Sequence, residues 1–172
     1  MKSQELTGDR QLTAYQVVGI GNAIVDVITQ SDDSFLELMG IQKGIMQLVE
    51  RDRGEVLYGA MQNRIQAPGG SVANTISGLG KLGISTGFIG RVGADVLGHF
   101  YADAMTKDGT DFVNPPVEGG ALPTSRSMIF VSPDGERSMN TYLGISADLN
   151  AVDVPQSTVE QAEILFLEGY LF

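Results

Sequence analysis

The sequence predicts an α/β fold built on a parallel sheet. Between Tyr15 and Val113, short apolar runs rich in β-branched residues alternate with stretches of helical period. Glycines and capping residues punctuate the boundaries between them. Hydrophobic residues make up 42% of the 172, enough for a core and too many for a disordered segment.

Residues 1–14 read as an N-terminal tail. Tyr15 to Ile20 (YQVVGI), bounded by Gly21-Asn22, is a buried-type strand, and Ala23 to Thr29 (AIVDVIT) is a second with Asp26 at its middle. Ser34, FLELM and Gly40 predict a short helix with Ser34 as N-cap and Gly40 as C′ glycine. Ile45 to Glu50 alternates as an exposed-edge strand, and Arg51 to Asn63 reads as a helix. Pro68-Gly69-Gly70 reads as a loop and Ser71 as the next N-cap. Val72, Ile76, Leu79 and Leu82 follow at helical spacing, with Gly83 closing the helix. Ile84 to Ile89 is a strand. Val96 to Asp108 is a helix with Leu97, Phe100, Tyr101, Ala104 and Met105 on one face, and Thr110 to Val113 is a short strand. This order is that of right-handed crossovers over a parallel sheet.

The rhythm then changes. Arg126 to Val131 and Arg137 to Leu143 flank Pro133-Asp134-Gly135, a hairpin with no intervening helix, which predicts an insertion on one edge. Ser157 to Ala162 reads as a helix and Ile164 to Leu167 as a buried-type strand. Parallel strands of this kind are covered on both faces. Nothing in the sequence follows ILFLEGYLF to cover it, which predicts a truncated domain with an apolar end.

Composition excludes several classes of function. With no cysteine there is no disulfide scaffold, thiolate metal site or cysteine nucleophile, and a single histidine, His99, excludes a multi-histidine metal cluster. His99 sits off the apolar face of its helix and reads as solvated. No apolar run approaches the ~18–20 residues of a membrane span, and the polar, acid-containing start is not a targeting peptide. These features predict a cytoplasmic protein. The net charge is −10, and residues 108–172 hold 10 acidic against 2 basic side chains. Such a surface repels nucleic acid and anionic membranes over a Debye length of ~8 Å, yet a small phosphorylated ligand needs only one cation and a few amides.

The candidate chemistry is local. Gly19-Ile20-Gly21-Asn22-Ala23-Ile24 is half of a dinucleotide fingerprint, with Ile24 where the third glycine belongs, and there is no P-loop. Asp26, between Val25 and Val27, either faces a wet cleft or points to solvent from an edge. Asn22 lies four residues earlier, where a turn brings both polar groups to one mouth. Gly69 and Gly70 before a helix let a ligand approach the backbone, and Ser71 and Asn74 open that helix. Taken singly, each is also a turn, cap or first-turn residue. Arg137 is open to a phosphate contact or to a surface pair with Glu136 or Asp134, the pair being commoner.

GNAIVDV, PGGSVANTISGLGKLGISTGFIGRVGAD and SRSMIFVSPDGERSMNTYLGISADL together resemble the ribokinase-like carbohydrate and nucleoside kinase family, from about Tyr15 to Phe172. The GN-x-x-x-D and PGGS-x-x-N forms are most similar to its adenosine kinase branch. The resemblance implies a three-layer α/β/α sandwich with a small β-sheet lid, its segments at about 24–50 and 123–145 and its strands at about 24–30, 44–50, 125–132 and 136–143. It implies that Asp26 holds two sugar hydroxyls with Asn22 nearby, and that Gly69, Gly70 and Ser71 close over the substrate. It further implies that Asn74 bonds the substrate, that Met46 and Leu48 give apolar contacts to a base, and that Arg137 lies near the transferred phosphate.

The family's second signature, which supplies the anion hole and aspartate base, has no match in this sequence. The resemblance therefore implies that ATP and Mg2+ are bound mainly outside residues 1–172, that the catalytic base lies beyond Phe172, and that this chain alone is inactive. The implied activity is phosphorylation of a primary hydroxyl on a nucleoside or sugar, adenosine first. Another sugar kinase, or a non-catalytic sugar or nucleoside binder, is the alternative. The implied partner is a small molecule, with neither nucleic acid nor membrane, and no metal site is expected in this chain. Self-association through the lid or through ILFLEGYLF stays open.

Overall fold

The computed structural model describes residues 14–171, so the expected tail lies outside the described residues except for Ala14, as does Phe172. The first half runs β1 (Tyr15–Ile20), β2 (Ile24–Gln30), α1 (Asp33–Leu38), β3 (Met46–Leu48), α2 (Arg51–Ala60), β4 (Ile65–Gly69) and α3 (Ser71–Lys81). The second runs β5 (Thr86–Ile89), α4 (Val96–Lys107), β6 (Thr110–Phe112), β7 (Ser125–Val131), β8 (Arg137–Tyr142), α5 (Gln156–Glu160) and β9 (Ala162–Leu167). A 3-10 turn at Gly144–Asp148 follows β8.

Two sheets form. The first is all parallel, in the order β6-β5-β1-β9. Its strands β1, β5 and β6 come from the alternating stretch Tyr15 to Val113, and β9 joins from beyond that stretch. Helix α3 returns the chain from the second sheet to β5, and α4 crosses from β5 to β6. Gly19 and Gly21 let α3 lie close on β1, because a Cβ on either would overlap Ile76 or Val72. The second sheet is mixed, in the order β3-β8-β7-β2-β4, with β2–β7 and β3–β8 parallel and β7–β8 and β2–β4 antiparallel.

In β2, Val25, Val27 and Thr29 are buried, while Ile24, Asp26 and Ile28 on the other face are partly open. The buried face is covered by α1 and α2: Phe35 meets the Phe130 ring at 5.7 Å, and Gly54 passes close to Tyr142 and Met128. One apolar cluster joins the two sheets, running from Val17, Ile76 and Phe88 to Val25, Leu57 and Phe130. Each such side chain contributes about 1.5–3 kcal/mol of transfer free energy when fully buried.

Several sequence expectations change. The stretch read as a loop at Pro68-Gly69 is the end of β4. Proline fits there because β4 is an edge strand, paired only with β2. The hairpin β7–β8 is not an edge insertion. It lies within the second sheet, with β2 against β7 and β3 against β8. The cap of α1 is Asp32, whose carboxylate accepts from Phe35 N at 2.8 Å, and Ser34 instead donates to that carboxylate. Gly70, not Ser71, occupies the N-cap position of α3, and Ser71 is its first residue. Helix α2 stops at Ala60, three residues short of the expected end. Strand β9, of buried-type composition, lies at the edge of the first sheet with Ile164, Leu165 and Leu167 exposed, which is the uncovered apolar end the sequence predicts.

Candidate functional site

The site is built where β2, β4 and the start of α3 meet. Register places Leu48, Thr141, Ser127, Asp26 and Ala67 in one row across the second sheet, so their side chains share the face away from α1 and α2. Ser127 and Thr141 pair their hydroxyls at 2.9 Å, next to Asp26 in the row.

Asp26 has no hydrogen-bond or ion-pair partner among the described residues. Burial pushes its carboxyl up to about 6, and the Arg137 guanidinium partly opposes that rise. A half-buried carboxylate without donors is costly in a folded protein. Gly69 backs onto it: a Cβ there would lie 2.5 Å from the carboxyl carbon. The absent side chain is what lets the carboxylate lie against the β4 backbone. The hydroxyl of buried Tyr101 donates to Gly69 O at 3.0 Å.

Gly70 turns the chain from β4 into α3 at φ 101°, and a Cβ on it would overlap the carbonyl oxygen of Asn22. Asn22 is thus brought to the same corner. Its Oδ1 accepts from Ser146 Oγ at 2.8 Å, and that Oγ accepts from Ala23 N at 3.2 Å.

The remaining expected residues are more dispersed. Ser71 is exposed at the first position of α3 and makes no side-chain cap bond. Asn74 is exposed and opens onto a cleft of about 400 Å3 between α3 and α4, shared with Pro68, Lys81, Lys107 and Asp108 but not with Asp26. Met46 and Leu48 lie on edge strand β3, 55% and 62% exposed. Leu48 is three strands from Asp26, about 14 Å at the usual ~4.8 Å spacing.

Arg137 is exposed at the start of β8, on the face that carries Thr141. It forms no pair with Asp134 or Glu136, because Asp134 is taken by Lys43 at 2.6 Å. Its charge acts on Asp26 instead. His99 is exposed, as expected. The sequence reading missed Tyr101, Ser127 and Thr141 as parts of this site. Period-two spacing in SRSMIFV would have placed Ser127 on one face, but only strand pairing puts it beside Asp26.

Chemically, the corner offers one unpartnered carboxylate, a glycine-lined backbone and a hydroxyl pair. That set suits a polyhydroxylated ligand, whose hydroxyls donate to carboxylate oxygens in charge-assisted bonds. Among the described residues no group of three or more acidic or histidine side chains could hold a metal ion, and no helix is long and apolar enough to cross a membrane.

Comparison with known proteins gives a consistent family. The chain is similar to the adenosine kinase of Sinorhizobium meliloti, with TM-score 0.83 and 46% identity over 92% of this chain and 48% of that one. It is 26% identical to the guanosine-inosine kinase of Escherichia coli K12 over 98% of this chain and 40% of the relative. It is 38% identical to a fructokinase of Klebsiella pneumoniae over 49% of this chain and 27% of the relative. The chain thus spans half or less of the length of each. The pfkB family carbohydrate kinase model matches residues 20–172. That match covers the second sheet, β5, β6 and β9 of the first and the Asp26 corner, and the chain belongs to the pfkB family of carbohydrate kinases.

Proposed function

We propose that this chain forms the acceptor-binding part of an ATP-dependent kinase that phosphorylates the primary hydroxyl of a nucleoside or sugar, adenosine foremost. The observation that carries the reading is Asp26: a half-buried carboxylate with no protein donor, held against the bare backbone of Gly69. Two adjacent sugar hydroxyls would supply the missing donors. The 46% identity to an adenosine kinase favours a nucleoside.

In this reading the second sheet is a lid, and a sugar bound at Asp26 extends its base along the row toward Met46 and Leu48. Gly69, Gly70 and Ser71 close beside it, Asn22 braces the corner and Asn74 adds a bond once the ligand is seated. Arg137 lies toward the transferred phosphate. ATP and Mg2+ belong to the proposed activity and supply the phosphoryl group and its charge neutralisation. The described residues offer no metal site, so this chain's own part is to bind and orient the acceptor and exclude water. We place the protein in the cytoplasm, acting on small molecules and not on nucleic acid or membranes.

A second reading is a fructokinase-like sugar kinase, favoured by the 38% identity over 49% of the chain. Phosphoryl transfer from γ-labelled ATP by the intact protein, measured with adenosine, guanosine and fructose in parallel, separates the two. Adenosine turnover lost in Asp26→Ala, with an unchanged melting temperature, supports the proposal. Turnover of none of the three, or equal turnover in Asp26→Ala, overturns it.

A further inference from the structure

The Gly69–Gly70 peptide has an anchor that the proposed function does not use. Tyr101 is fully buried on α4, and its ring is held by Phe88 at 6.3 Å and edge-on by Phe112 at 5.6 Å. A buried phenol needs a partner for its hydroxyl. Here the partner is the main-chain carbonyl of Gly69, at 3.0 Å, the last residue of edge strand β4.

That carbonyl sits at a critical point. Gly69 is the residue whose missing Cβ admits the Asp26 carboxylate, and Gly70 follows at φ 101°. Two glycines in succession leave the backbone its widest freedom. A trans peptide is planar, so fixing the Gly69 carbonyl also fixes the Gly70 N–H, which points the opposite way. Burial and the nearby Asp26 charge hold the Tyr101 hydroxyl well above the ordinary tyrosine range, so it remains a neutral donor.

We propose that Tyr101 is a positioning residue, its hydroxyl locking the Gly69–Gly70 peptide in the orientation that receives a hydroxylated ligand at Asp26. The identity of that ligand rests on the proposed function; the lock itself does not.

Tyr101→Phe keeps the ring and removes only the donor. In the ligand-free protein, hydrogen–deuterium exchange of the amides at 69–74 is expected to quicken about tenfold, with β1 and β5 unchanged. Adenosine binding by titration calorimetry is expected to weaken about five- to tenfold, and in the intact protein KM should rise by the same factor with kcat held. Thr86→Val, which breaks the buried Thr86–Thr110 hydroxyl pair in the first sheet, is the control: it should lower the melting temperature and leave both readouts alone. Unchanged exchange at 69–74 overturns the lock whatever the ligand. Faster exchange with unchanged adenosine affinity overturns the positioning role. If the unmodified protein binds neither adenosine, guanosine nor fructose, the functional reading fails, while the exchange result still decides the lock.

Discussion

Gly70 and Asn22 meet backbone to backbone: the position a Gly70 side chain would occupy is filled by the carbonyl oxygen of Asn22. No rotamer relieves an overlap with main chain, and φ 101° is itself a conformation that residues with a Cβ rarely adopt. Gly70→Ala is therefore expected to cost about 1–3 kcal/mol of stability. Urea denaturation measures it, and a loss below about 0.5 kcal/mol would contradict the geometry.

Asp26→Asn should separate stability from binding. Burial raises the folded pKa to about 6, above the ordinary aspartate value of 3.8, so folding disfavours the ionised form. The penalty is absent below about pH 4 and complete above about pH 6. Removing the charge should then stabilise the protein by about 1–3 kcal/mol at pH 8 and by little at pH 4. Adenosine binding should be lost. Chemical melts at the two pH values, with calorimetric titration, test both halves.

Arg137 is exposed, forms no ion pair among the described residues and is electrostatically coupled to Asp26. Arg137→Gln should change stability by less than about 0.5 kcal/mol. It should also raise the Asp26 pKa beyond its value in the unmodified protein, because the guanidinium lowers it. A carbon-13 titration of the carboxyl resonance reads the shift directly, and no upward movement would place Arg137 outside the site's field.

The double variant Met46→Ser, Leu48→Ser probes the far end of the row. Both residues are exposed, so the fold should tolerate the change with about 1 kcal/mol or less in total. Adenosine affinity is expected to fall about tenfold while any fructose affinity stays constant, since only a base reaches three strands from Asp26. Equal effects on both ligands would remove β3 from the binding surface.

What the sequence made legible follows the range of each signal. Strand β2, helix α3 and helix α4 are readable because period and caps are local properties, and Asp26 is conspicuous between two valines. Strand β4 is not, because Pro68 and Gly69 are turn residues by composition, and only pairing with β2 makes IQAPG a strand. The central place of β7 could not be read either, since strand order is set by contacts about a hundred residues apart. For the same reason the Ser127–Thr141 pair, the Tyr101–Gly69 bond and the Asn22–Ser146 bond are invisible in the sequence. Each joins side chains or backbone that no short window contains.

Asn22 touches three of the four passages by which the chain crosses between the sheets. It lies on the first, its carbonyl packs on Gly70 in the second, and its amide oxygen is tied to Ser146 in the passage that leaves β8. The site therefore has an axle. Any swing of the second sheet against the first would turn about this corner, so Asp26, four residues away, would travel little. Met46 and Leu48, out on the rim, would sweep the longest arc, and a gripped ligand would be anchored at its sugar end and enclosed from the other.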